Sequence, residues 1–109
     1  MKVNKNMVSG NSAMLVLKLL SEKDMYGYEM IEALREKSQN VFELKAGTLY
    51  PLLHGLEEKN FVLSYEQEAT GKVRKYYRLT AEGSRRLAEK KAEWQEYTRA
   101  VTNVLAMGV

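Results

Sequence analysis

"GTLYPLLHGLEEKNFVLSYEQEATGKVRKYYRLT", Gly47 to Thr80, changes its period midway. Leu49, Leu52, Leu53 and Leu56 recur at i, i+3, i+4 and i+7, one apolar face of a helix. After "EKN" the period falls to two. "FVLSYEQE" and "VRKYYRLT" are rich in β-branched and aromatic residues and flank "ATGK", which predicts a hairpin with Thr70–Gly71 near its tip. Pro51 stands inside the helical pattern, and a proline in a helix interior costs about 3 kcal/mol. With Thr48 as N-cap, Pro51 would be the third helical residue, where the lost donor had no partner anyway. A start nearer Lys45 would instead predict a local distortion at Tyr50–Pro51.

Upstream, "NSAMLVLKLL" predicts a helix capped by Asn11 or Ser12, apolar nearly all round and so buried on several sides. "SEKDMYGYEMIEALREKS" predicts a second helix with Asp24 as N-cap and Gly27, Met30, Ile31 and Leu34 inward. Downstream, residues 80–109 read as one long helix, with Thr80 as N-cap and Glu82 in the first turn. Three helices, a hairpin and a long helix give a mainly α (α+β) fold, a winged helix-turn-helix with a two-stranded wing and a long C-terminal dimerisation helix. The expected division is residues 1–79 as the DNA-binding domain and 80–109 as the dimerisation helix, forming one compact unit.

The net charge of +3 is unevenly spread. Residues 72–91 hold eight Lys or Arg against two Glu, +6, while the rest of the chain is net negative. Such a concentration is the footprint of a polyanion binder, or simply a solvated helix face. The chain has no cysteine and one histidine, His54, so no disulfide and no transition-metal ligand set is expected. Glu57 and Glu58 are adjacent on a helix and do not face each other, a poor acid–base pair. No phosphate-cradling glycine pattern occurs. Neither an enzyme nor a cofactor is expected. The longest apolar run, Ala13–Leu20, is interrupted by Lys18 and is too short to span a bilayer; no membrane association and a cytoplasmic location are expected.

"MYGYEMIEAL", "GTLYPLLHGLEEKNFV" and "GKVRKYYRLTAEG" together resemble the PadR family of winged-helix transcriptional regulators, as ordered blocks across residues 13–86. One helix after the wing is similar to the family's small-subunit branch. The resemblance implies a homodimeric repressor on operator DNA, often released by a small molecule. Some members of that branch stack flat aromatic compounds between subunits against a tryptophan, and Trp94 occupies the corresponding place. The chain departs from the family pattern at Tyr26, where many members have histidine, and at Thr98, where some drug-sensing members are acidic. Tyr26 and Tyr28, in that turn, carry the implied DNA contacts.

With the leucine face inward, Gly47, Pro51, His54 and Glu58 point out, flanked by Thr48 and Tyr50. This surface lacks Arg, Asn and Gln, so direct base reading is thin and DNA shape carries more of the specificity. Thr48 is either a plain cap or a DNA contact, and Tyr50 either edge-of-core packing or a DNA contact. Lys72 sits at the hairpin tip; Arg74 and Lys75 point to opposite faces of the sheet. Arg78, further from the tip, is placed to pair with an acid.

On the last helix Leu87, Trp94 and Val101 recur at seven, as do Tyr97 and Val104, and Thr98 and Leu105. This seam, with Leu15 of the first helix, predicts a dimer interface of Leu15, Leu87, Trp94, Val101 and Leu105. Trp94 is either a dimer-core residue or the wall of an aromatic slot rimmed by Lys91, Gln95 and Thr98. The expected function is a sequence-specific regulator of double-stranded DNA, binding a palindromic operator as a repressor released by a small planar or aromatic effector. The alternative is a winged-helix module that docks an acidic protein instead of DNA.

Overall fold

The computed structural model describes residues 5–107, with side chains from residue 11 onward. Helix α1 spans Lys5–Glu22. It passes through Asn11 and Ser12, so neither is the cap that the sequence suggests. The backbone stays helical across Gly10, at a cost of about 1 kcal/mol. The apolar run packs mainly on the chain's own core: Val16, Leu17, Leu19 and Leu20 are buried, while Lys18 is exposed.

The next segment corrects the expected helix. Met25–Tyr26 is a short strand, β1, and helix α2 begins only at Gly27 and runs to Lys37. Asp24 is not its N-cap. Tyr26 holds that position, and its N–H donates to Glu29 Oε1 at 3.1 Å. Gln39 and Asn40 turn the chain out of α2 with positive φ.

Helix α3 spans Ala46–Glu58 with Lys45 at the N-cap, so Thr48 lies in the first turn and does not cap it. The helix thus starts near Lys45, and it is unbroken through Tyr50–Pro51, so the distortion expected for that start does not interrupt it. Gly47, four residues before the proline, is exposed, so its carbonyl is left open to water, and it has no side chain to crowd the ring. Asn60, with φ 64°, ends α3: its N–H donates to the Glu57 carbonyl and that of Phe61 to the Leu56 carbonyl, at 3.0 and 2.9 Å. This pair of bonds satisfies the last carbonyls of the helix.

Strands β2, Val62–Ala69, and β3, Lys72–Leu79, form the predicted hairpin. Thr70 and Gly71 are both at positive φ, 50° and 78°, the requirement of a type I′ turn. The wing has three strands rather than two, in the order β1-β3-β2, with Met25 opposite Tyr77 and Tyr26 opposite Tyr76. β1 covers an edge of β3 that would otherwise present unpaired backbone groups. Leu49, Leu53 and Leu56 of α3, Met30 and Leu34 of α2, Val62 and Tyr77 complete the core.

Helix α4 spans Ala81–Ala106. Thr80 is its N-cap, as expected, and its Oγ1 accepts from the Gly83 N–H at 3.0 Å. The same hydroxyl donates to the Asn60 carbonyl at 2.5 Å, and the Thr80 N–H donates to the Phe61 carbonyl at 3.1 Å. Gly83 is buried against that junction, where a Cβ would come within 2.9 Å of the Phe61 carbonyl carbon. The N-terminal part of α4 is thereby fixed to the α3–β2 corner, and the helix runs away from it, giving an outline of 59 × 30 × 21 Å.

Candidate nucleic-acid interface

Lys45, Gly47, Thr48, Tyr50, Pro51, His54 and Glu58 of α3 are exposed, as the helical wheel requires once the leucines turn inward. Tyr50 has two surroundings at once. It is 43% exposed, yet its phenol lies across Gly27, where an added Cβ would come within 2.8 Å of the Tyr50 Cζ. Gly27 is therefore the seat that lets Tyr50 lie flat at the start of α2. Tyr28, one residue on, is 61% exposed.

Alternation along β3 divides the basic stretch between two faces. Arg74, Tyr76 and Arg78 share the face that carries Tyr26, while Tyr77 enters the core. The Arg74 guanidinium lies 4.4 Å from the centre of the Tyr26 ring, a cation–π stack, and its Nε is buried without a hydrogen-bond partner among the described residues. Tyr26 meets Tyr76 edge-on at 5.4 Å, and Tyr76 stacks on Tyr65 at 5.7 Å. Arg78 closes the row over Tyr65 at 5.2 Å. Asp24 then ties its end: it accepts from the Tyr65 hydroxyl at 2.6 Å and from Arg78 Nε at 3.0 Å. Those two donors hold the Asp24 carboxyl below its ordinary range, the Tyr65 hydroxyl first and Arg78 after it, while partial burial opposes them. The same bond raises the Tyr65 phenol.

The expected acid partner of Arg78 is thus Asp24, 54 residues away in the chain, a distance at which no local pattern marks it. The ladder itself also escaped sequence reasoning. Its one visible sign is the spacing of Arg74, Tyr76 and Arg78 at i, i+2 and i+4 of a strand. Lys72 and Lys75 are exposed. Lys72 is at the tip, and Lys75 pairs in register with Glu66.

On α4, Trp94, Tyr97, Val101, Val104 and Leu105 form an exposed apolar stripe, with the Trp94 and Tyr97 rings 6.0 Å apart. Lys91 and Gln95 are exposed near Trp94. The Thr98 hydroxyl donates back to the helix, to the Trp94 and Gln95 carbonyls at 3.0 and 3.1 Å, so its proton is already engaged. Two residues of the expected seam differ from the others. Leu87 is only 7% exposed and belongs to the chain's own core, and Leu15 is half-buried against it. Among the described residues, no helix is long and apolar enough to cross a membrane.

The model of the PadR-like family of transcriptional regulators matches residues 16–89. A transcriptional regulator from Clostridium thermocellum superposes with a TM-score of 0.84 at 35% identity, over 95% of this chain and 98% of that one. A PadR family transcriptional regulator from Eggerthella lenta gives 0.83 at 35% identity, over 94% and 88%. The Escherichia coli transcriptional regulator YqjI is 32% identical over 84 residues, 77% of this chain; the match spans only 39% of YqjI.

Proposed function

We propose, since the chain belongs to the PadR-like family of transcriptional regulators, which bind DNA and are not enzymes, that it acts as a homodimer on palindromic operator DNA in the cytoplasm, repressing transcription until a small planar effector releases it. One observation carries the DNA reading. Tyr50 of α3 rests on Gly27, and the ring of the preceding residue, Tyr26, lies under Arg74 of the wing. The exposed helix, the start of α2 and the wing therefore form one continuous surface. On it, Thr48, Tyr50, Tyr26 and Tyr28 offer hydroxyls to phosphates, and Lys72, Lys75 and Arg74 supply charge. Small residues on α3 allow the backbone close to the groove, so shape contributes more than base-edge contacts. Residues 1–79 would be the reading part and 80–109 the pairing part. Trp94, with Tyr97 beside it and Lys91, Gln95 and Thr98 around it, would form the effector slot across the two-fold axis.

The test is binding to duplex DNA across a salt series. Lys72→Ala should weaken binding to all duplexes alike and reduce the salt slope by about one unit. An unchanged slope removes the wing from the interface. Indifference to duplex DNA, with tight binding to an acidic protein, would replace the reading by a docking module.

A further inference from the structure

A groove of about 310 Å³ lies between α1, α3 and α4, away from the wing and from the Trp94 stripe, with Pro51 on the edge that it shares with the expected DNA surface. Three helical rows meet in it, each spaced at i, i+4: Ala13 and Leu17 of α1; Pro51, Gly55 and Lys59 along α3; Arg86 and Lys90 of α4. The α3 row rises through eight residue steps, about 12 Å. Leu17, Leu52 and Phe61 make the lining apolar, and Gly55 leaves it wide, since nothing lies within 4 Å of where its Cβ would be.

The charges are one-sided. Lys59, Arg86 and Lys90 all line the groove and no carboxylate does, among the described residues. Arg86 has only Glu89 at 3.9 Å nearby, and no ion pair forms at Lys59 or Lys90 among the described residues. Arg86 and Lys90 are half-buried despite their charge. An apolar trough edged by three cations, with no carboxylate in its lining, is complementary to an amphipathic monoanion. We propose that this groove binds an alkyl carboxylate of medium length, its chain along the α3 row and its carboxylate among Lys59, Arg86 and Lys90. Because Pro51 and Gly55 lie on the helix whose exposed face carries Thr48 and Tyr50, a bound chain wedges α3 from behind and loosens DNA by its preference for the displaced position. This regulatory half rests on the DNA-regulator reading; the binding half does not.

The probe is decanoate below its micellar range, titrated calorimetrically into the full chain, with decanol as the neutral control. Decanoate should bind about tenfold more tightly than decanol, the worth of one charge-assisted contact. Gly55→Leu fills the trough without touching the Trp94 stripe and should abolish binding. Arg86→Gln with Lys90→Gln, which leaves the packing intact, should bring decanoate down to decanol. Equal affinities for the two probes, or full decanoate binding by Gly55→Leu, overturn the site. Decanoate should also weaken operator binding by the parent and not by Gly55→Leu. If decanoate binds but operator affinity does not change, the regulatory half is wrong. If the free protein ignores duplex DNA while decanoate still binds, the regulator reading fails and the site stands.

Discussion

Gly27 and Tyr50 show how one missing side chain can shape the surface proposed to meet DNA. Gly27→Ala would place a methyl against the Tyr50 phenol, which is the far end of a flexible side chain and can swing aside. Stability should fall by less than about 1 kcal/mol, because an exposed ring relocates and no core group is displaced. Operator affinity should nevertheless drop as far as in Tyr50→Phe, measured on the same duplex; an unchanged affinity in both variants removes Tyr50 from the interface. Asp24 gives a pH dependence of definite sign. Its folded carboxyl binds a proton more weakly than in the unfolded chain, because the Tyr65 hydroxyl and then Arg78 favour its charged form. Its stabilisation is complete above the ordinary aspartate value of about 4 and is lost as pH falls through the folded value. Urea midpoints of the parent and Asp24→Asn should therefore differ at neutral pH and converge as the pH falls below the folded value of the carboxyl; a gap that is constant with pH excludes the carboxylate as its source. The sequence pointed to Tyr26 and Tyr50 through their motif neighbours. It gave no sign of Asp24, whose partners lie 41 and 54 residues away.

The helices and the hairpin could be read from periodicity, and the errors cluster at their ends. The sequence offered caps at Asn11 or Ser12, at Asp24, and at Thr48 as against a start nearer Lys45, because short polar side chains favour those positions. In each case another demand prevailed: α1 extends further upstream, Asp24 serves the wing, and α3 starts before Thr48. β1 was invisible because two residues carry no period; the edge of β3 creates it. The wing's turn was found through "TG", and its geometry shows what that pair costs. A type I′ turn wants φ above zero at both central positions, and Thr70, a β-branched residue, adopts 50° there. Thr70→Asn should stabilise the chain by about 1 kcal/mol, since Asn-Gly suits this turn without that strain. Thermal melts would register it. A destabilised Asn variant would mean that the Thr70 hydroxyl, which donates to the Ala69 carbonyl at 2.7 Å, outweighs the strain.

The molecule as a whole is asymmetric in its packing. The buried residues from Val16 to Leu87 share one core, while the distal part of α4 projects with Trp94, Tyr97, Val101, Val104 and Leu105 exposed. A helix of 26 residues is about 39 Å long, and a projecting half whose apolar stripe is exposed is marginal in water. The homodimer proposed above would supply the remedy, a second copy packed along the seven-residue repeat of the stripe. Leu87, although in phase with that repeat, lies in the chain's own core, so the proposed pairing region would begin near Trp94. Val101→Glu and Leu105→Glu each put a charge where a partner's apolar side chains would meet it, at a cost of several kcal/mol unless the dimer separates. Sedimentation at micromolar concentration should then find monomers in place of dimers, while circular dichroism of residues 11–87 packed as before should lose only the helicity of the distal turns. Operator binding should separate along the same line. A half-site is read by one copy and should keep its affinity, whereas a palindrome gains from two linked copies and should lose that gain, a factor of about a hundred or more. Dimers that survive both glutamates would move the pairing surface elsewhere, and equal losses on half-site and palindrome would mean that α4 supports the reading head itself instead of joining two of them.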